Sequence, residues 1–402
     1  MVLEIWLIEF AKGVGTLFIH PLLYWFLLLL MFTGIRRIKK EREYFGAKIN
    51  NLFAEGKQTL VIALLFSIIV SALAISFGII ISFETIILLG VVMIILSMTT
   101  STTMLSASYT LGITFIILLL ISFIDLHRFE AFMQFQDLSA VHFICLAILT
   151  GLFLLVEALL LGTTKKGRTF STLSLSERGI WTGQHQLKRL AFVPFFALLP
   201  TDSLTGITPL YPYFEYGNQT FSLVLLPFFL GYQYNVRSEL PEKAAEKLGR
   251  ATLLLGFLVL LCAIGSLFFP VFSLVAIILS IVGKEWITYR HRLQDRRKPA
   301  FFRPLDEGIK VLDTIPNSPA DRLEILTGEI ILKVNGTIVT DSTQLYKALQ
   351  NSGAFFKLDV LDYNGEVRFI HSAFYEEDHH ELGIIFAEKP FNHVEENDKK
   401  VN

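Results

Sequence analysis

The residues able to do chemistry are few and scattered. The nearest approach to a metal site is "HHELGII" at 379–385. A zinc protease needs His-Glu-x-x-His on a helix, so that two imidazoles one turn apart hold the ion while the Glu acts as general base. The second His is missing here. The serines of "SMTTSTTMLSAS" (97–108) have no His or Lys on the neighbouring apolar segments to serve as base for a nucleophile. Neither a P-loop nor a Gly-x-Gly-x-x-Gly occurs. Cys145 and Cys262, the two cysteines, both lie inside apolar runs and read as small buried hydrophobes rather than a disulfide or a metal pair. The expectation is a protein with no catalytic step, no metal and no cofactor.

Ionisable groups within the apolar runs are equally sparse. Glu157 falls near one end of its run, where it can reach the interface or pair; Glu84 and Asp125 sit at run ends, and His20 and His142 near the other surface. All five read as interfacial or loop positions. A transporter or proton relay plants several charges at mid-membrane, which this chain does not do.

The elements that carry these residues follow from hydropathy. Of 402 residues, 53% are hydrophobic and 18% charged, against about 25% charged in ordinary soluble chains. Charge is sparse up to about residue 283 and dense beyond it. A membrane helix needs about 20 apolar residues, and the pattern predicts an α-helical multispan membrane domain over 1–289. Nine spans are expected: 16–35, 59–83, 85–102, 106–124, 139–161, 190–212, 216–236, 251–269 and 271–288. The first run lacks a basic leader and a small-residue cleavage site, so it does not read as a removable signal.

Lys and Arg set the orientation. Segments 36–58, 162–189, 235–250 and 284–298 carry seven, six, four and six of them; the alternate segments hold only Lys12 and Arg128. The basic side is expected in the cytoplasm, with the N-terminus outside and the tail inside. Because 162–189 and 235–250 are both basic, an even number of crossings must separate them, which assigns the proline-broken run 190–212 as a span alongside 216–236. "SELPEKAAEKLGR" (238–250) reads as a short cytoplasmic helix entered through Pro241. "RRIKKERE" (36–43) reads as a topology determinant, with a lipid-headgroup or partner patch as the sharper alternative.

Residues 290–300 are expected to be a charged cytoplasmic linker, 301–390 an α+β module, and 391–402 a polar tail. "GIKVL" (308–312) and "EIILKVNG" (329–336) are strand-like, the second ending in an Asn-Gly turn. "DSTQLYKALQNSG" (341–353) reads as a capped helix. The apolar alternation around Asn364-Gly365 predicts a hairpin.

The order "GIKVL…NSPADRLEILTGEIILKVNGTIV…STQLYKAL…LDVLDYNGE" resembles a PDZ domain of the bacterial type over about residues 303–388. Glu329 stands where such domains more often carry Asp, and Asp306-Glu307 precede Gly308, where an anionic side chain opposes capture of a ligand carboxylate. The resemblance implies recognition by strand addition, in which main-chain bonds give affinity and side-chain pockets give specificity. It places the groove strand at Gly308, Ile309, Lys310, Val311 and Leu312, and the helical wall at Leu345, Ala348 and Leu349.

The whole layout is similar to the MinJ-type division-topology proteins of Gram-positive rods. The similarity rests on "FIHPLLYWFLLLL" leading into "RRIKKERE", on the multispan body, and on the C-terminal "GIKVL…PNSPA…GEIILKVNG". It implies a membrane scaffold at septa and poles that links a DivIVA-like protein to a MinD-like ATPase, with no nucleic-acid partner. Two other readings stay open: a PDZ-bearing membrane protease, and a transporter or secretion subunit with a regulatory tail.

Overall fold

A computed structural model of the chain describes residues 2–99, 101–123, 140–164, 169–200, 213–216, 219–353, 355–373 and 382–391. The loop holding Asp125 and Arg128, the segment 201–212 and the tail from 392 lie outside these residues.

The apolar runs build helices α1 (Val2–Ile19), α2 (Pro21–Phe45), α4 (Leu60–Ser76), α5 (Phe83–Ser97), α6 (Ala107–Phe123), α7 (Ala140–Gly162), α8 (Pro241–Gly265) and α9 (Val271–Arg297), with a short α3 (Ala54–Lys57) between α2 and α4. Four of them, α2, α7, α8 and α9, are long and apolar enough to cross a membrane. α7 sits at the centre, with Phe153, Leu149 and Leu161 sealed from solvent. α4, α8 and α9 instead leave Leu65, Ile68, Leu254, Leu261 and Val282 exposed on their outer faces. A bundle that is apolar both inside and outside is what a lipid-facing protein requires.

Several expectations need correction. The run 16–35 is not one helix: α1 ends at Ile19, His20 takes an extended conformation and caps α2 through Leu22 N, and Pro21 opens the new helix. "SELPEKAAEKLGR" is no separate helix but the first turns of α8, and most of the supposed linker 290–300 continues α9 to Arg297.

The largest correction falls on 190–236. Where the described residues of 190–212 and 216–236 were expected to be helical spans, they are strands: part of β2 (Trp181–Phe192), β3 (Phe195–Pro200), β5 (Gln219–Leu226) and β6 (Phe229–Val236), with β4 (Tyr213–Tyr216) at the edge of β5. β2 pairs with β6 and β3 with β5, all antiparallel, in one continuous ribbon. Pro194 and Pro227 face each other across its middle. Neither can donate to a ladder, so the ladder is interrupted there and bridged by Val193 N donating to Phe228 O at 2.7 Å. The arm from 181 to 200 is about 65 Å long at 3.3 Å per residue.

The ribbon threads the helix bundle. Thr59 at the start of α4 donates its hydroxyl to Leu190 O, Phe196 N donates to Ser71 Oγ, and past the far end of α4 Ile81 N donates to Leu198 O. The nine residues from 190 to 198 therefore cover the same height as the 17-residue helix, about 25 Å by either rise. Phe195 and Phe228 pack on Phe153 of α7 with ring centroids 5.2 and 4.2 Å away. Non-helical backbone is tolerated among apolar helices where strand pairing satisfies its polar groups and protein encloses it.

The other end of the ribbon widens into a sheet, as β1 (Phe170–Leu175) pairs with β2 on the side opposite β6. After α9 comes an independent C-terminal core. Its sheet runs in the order β11 (Val367–Ala373), β10 (Phe355–Leu361), β8 (Ile330–Val334), β7 (Ile309–Thr314), β12 (Ile384–Phe386), with β9 (Thr337–Ile338) off β8. Helices α10 (Pro319–Arg322) and α11 (Ser342–Gln350) complete it.

Candidate functional site

The N-terminus of α11 is set by Asp341, whose carboxylate accepts from Gln344 N at 2.8 Å. Leu345 and Leu349, one turn apart, then enter the core beside Val334, Val339 and Leu358. Ser342 and Tyr346 share a different face, toward β12: Glu388, just past that strand, accepts from Ser342 N, and the Tyr346 hydroxyl donates to Ile384 O at 3.4 Å.

β12 is an edge strand. Its inner edge pairs with β7, Ile385 opposite Asp313. Gly383 O accepts from Ile315 N on that inner side. Alternation along a strand then turns the main-chain groups of Ile384 and Phe386 outward, toward α11. Gly383 opens the strand with φ +77°, and a Cβ there would lie 2.5 Å from Ser318 Cβ, so both conformation and space require glycine. The space between β12 and α11 has the form of a strand-addition groove.

This corrects the expected groove. β7, with Ile309, Lys310, Val311 and Leu312, is an inner strand bonded on both sides. Ile309 and Lys310 pair with β8, and Val311, Asp313 and Thr314 with β12; Val311 N also donates to Glu329 O and its carbonyl accepts from Gly328 N. From Val311 to Thr314, among the described residues, β12 and β8 leave no free edge for a ligand. Ile309 and Val311 belong to the module's core, Leu312 faces the ribbon sheet, and Lys310 lies over the Phe301 ring at 4.1 Å, donating to Phe301 O. Gly308, at φ +77° against Ile330, turns the chain into β7 rather than toward a ligand. Leu345 and Leu349 are core, and Ala348 faces β9 beside Ile338. Asp306 and Glu307 precede the wrong strand to oppose a ligand carboxylate. Glu329 is buried, accepting from Leu326 N and from Arg368, and closes the loop before β8.

The readings missed Ile384, Phe386, Ser342 and Tyr346. A signal was present: "ELGII" (381–385) is a Gly-apolar strand start of the kind sought at 308, in the string weighed above as an incomplete zinc site. Of that string, residues 379–381 lie outside the described residues.

The module is docked. The face carrying Leu312 and Ile385 packs on Leu173 of β1, Phe302 and Trp181. At Gly183 the two bodies nearly touch: its N–H donates to Phe302 O at 2.9 Å, and a Cβ would lie 2.6 Å from Leu312 Cδ1. His185 lies alongside. The Leu312 carbonyl can only accept, so His185 Nε2–H donates to it (3.0 Å) and Nδ1 accepts from Thr169 Oγ1 (2.8 Å). Full burial lowers the imidazole to about 4, with the bond to Leu312 opposing. Ser171 Oγ donates to Asp313 Oδ2 at 2.5 Å. Burial raises the Asp313 carboxyl to about 6, against the hydrogen bonds from Ser171 and Thr314 N.

Elsewhere, of the two readings of Glu157, the structure shows pairing rather than exposure at the interface. The residue is fully buried and ion-paired with Lys284, with Ser106 Oγ donating to its second oxygen at 2.6 Å. Among the described residues no group of His, Cys, Asp and Glu could hold a metal ion.

Comparison with known proteins fixes the family. The cell division topological determinant MinJ of Bacillus subtilis (strain 168) is 31% identical over 384 residues, 95% of this chain and 96% of that protein. The chain belongs to the MinJ family. A probable cell division topological determinant MinJ from Lacticaseibacillus paracasei is 23% identical over 256 residues, 62% of this chain and 67% of that protein. No protein-family model matches. Serine proteases match only in part: the putative serine protease HhoA of Synechocystis over 79 residues at 34% identity (19% of this chain), and serine protease HTRA3 of Rattus norvegicus over 68 at 38% (17%). Membership in the MinJ family assigns the chain to cell division. The protease likeness is too short to carry a protease's chemistry with it.

Proposed function

We propose that this protein is a multi-pass membrane scaffold for division-site selection, and that its C-terminal module is a PDZ-type domain that captures an extended peptide between β12 and α11. The observation that carries the reading is the edge strand β12, with the outward main chain of Ile384 and Phe386 facing Ser342 and Tyr346 across a groove. The ribbon supports the membrane placement and keeps the charge bias intact. Its two arms traverse the bundle and return, so the basic segments 162–189 and 235–250 still lie on one side, which the reading places in the cytoplasm together with the module. The partners implied by the family likeness are a DivIVA-like scaffold and a MinD-like ATPase, bridged at septa and poles.

The test is cross-linked capture from cells by the full chain, by Ile384→Pro, which removes an outward N–H, and by a chain truncated after Arg297. The wild type is expected to retain both partner types and the truncation to lose at least one, with Ile384→Pro losing the same one. Equal capture by all three would refute the groove and hand the role to the helices or their basic loops.

A further inference from the structure

α8 and α9 form an antiparallel pair that touches tightly where Gly283 faces Leu255. A cavity of about 560 Å³ runs along the pair past that contact, toward the ends carrying Pro241 and Arg297. Its walls change character along its length. Leu254, Leu258 and Leu279 line the inner part; Lys247, Arg290 and Lys298 stand at the mouth. Leu258 is level with Leu279 and Lys247 with Arg290, because the helices run in opposite directions. Eleven residues separate the zones on each helix, about 16 Å at 1.5 Å per residue. One leaflet of hydrocarbon is about 15 Å deep. Trp286 lies on the cavity near its cationic end, 61% exposed, as aromatic rings do at the headgroup boundary.

The charge at the mouth is unbalanced. Of the two lining carboxylates, Glu239 pairs with Lys247, and Asp295 accepts from the backbone N–H of Arg237 (3.0 Å) and Ser238 (2.8 Å). His291 is turned to the Asn235 carbonyl at 2.9 Å. Arg290 and Lys298 have no carboxylate within ion-pair distance among the described residues. An apolar slot one leaflet deep, with a net positive mouth where Arg290 and Lys298 make no ion pair, is complementary to an acyl chain joined to a phosphate.

We propose that the α8–α9 groove is a binding site for an anionic phospholipid, with an acyl chain along Leu254, Leu258 and Leu279 and the headgroup phosphate between Arg290 and Lys298. The site rests on the reading of α8 and α9 as membrane-spanning and is independent of the peptide groove. It would give the scaffold a preference among lipids as well as among proteins.

The test uses the full chain in phosphatidylcholine vesicles containing a minor share of phosphatidylglycerol, with bromine on the acyl chains of one lipid or the other. The Trp286 signal is isolated by difference from Trp286→Phe. Brominated phosphatidylglycerol is expected to quench Trp286 well beyond its share of the membrane. Removing a surface cation weakens anionic-lipid binding about 5-fold, so the preference is expected to fall about 25-fold in Arg290→Gln with Lys298→Gln. Quenching in proportion to abundance would overturn the site while leaving the membrane placement standing. No quenching by either lipid would overturn both. If the double variant does not fold, the wild-type comparison decides alone.

Discussion

Glu157 on α7 and Lys284 on α9, 127 positions apart in the chain, form an ion pair that solvent does not reach. Ser106 donates to the carboxylate from the turn before α6, and the Tyr234 ring of β6 lies 5.4 Å from the ammonium. One pair thus ties three helices and the ribbon at the level where the bundle meets the sheet.

Removing one partner leaves the other charged and buried, at a cost of about 3–5 kcal/mol. Glu157→Gln is therefore expected to lower the melting temperature of the detergent-solubilised chain sharply. Glu157→Gln combined with Lys284→Met should recover most of the loss, because a buried pair replaced as a unit is near neutral. An unchanged melt in the single variant would show that the pair carries no stability.

The docked interface should respond to pH through Asp313. Its folded value of about 6 lies above the ordinary 3.8. The stability it contributes is complete below pH 4 and is lost as pH rises to 6, costing about 3 kcal/mol by pH 7. Asp313→Asn is expected to melt higher than wild type at pH 7.5 and no higher at pH 4. His185 runs the other way. Its neutral form is held down to about 4 from an ordinary 6.5, so its contribution is present above pH 6.5 and fades as pH falls toward 4; His185→Gln should lose the acid-side decline. A melt of Asp313→Asn that parallels wild type at every pH contradicts the assignment.

Gly183→Val wedges a side chain between β2 and the module, where Leu312, Phe302 and Ala387 already crowd the position. Overpacking costs about 1–3 kcal/mol. The module has its own core, so the expected result is undocking without unfolding: faster proteolysis near Lys298 to Arg303, with the C-terminal fragment still resistant. Cleavage at the wild-type rate would show that the contact is not what holds the two bodies together.

Tyr346 covers the Ile384 carbonyl that an added strand would use. A peptide must displace that hydroxyl. Tyr346→Phe is expected to tighten peptide binding modestly, by about 0.5–1.5 kcal/mol, the net worth of one hydrogen bond. Titration calorimetry with a captured peptide checks it; weaker binding would mean that the hydroxyl contacts the ligand instead.

Helix in the runs at 59–83, 139–161 and 251–283 was legible in the sequence because it is local. Long apolar stretches free of interior proline satisfy their own backbone within each segment, and only the break at Pro270 divides the last. The Asn335-Gly336 turn and the Asp341 cap were legible for the same reason, as each is decided within a few residues. The family, too, could be read from the order of these elements. What the sequence could not disclose was pairing. Residues 190–236 are as apolar as a pair of helices, and hydropathy is blind to whether their backbone bonds run along the chain or across to a partner strand some 30 positions away. Pro194 and Pro227 made helices poor there, but only the fold supplied the enclosure that makes a ribbon possible. Likewise "GIKVL" and "ELGII" are alike as strings. That β7 lies inside the sheet and β12 at its edge, and hence which of them could receive a ligand, was decided by tertiary contacts alone, because an edge is a property of neighbours and not of residues.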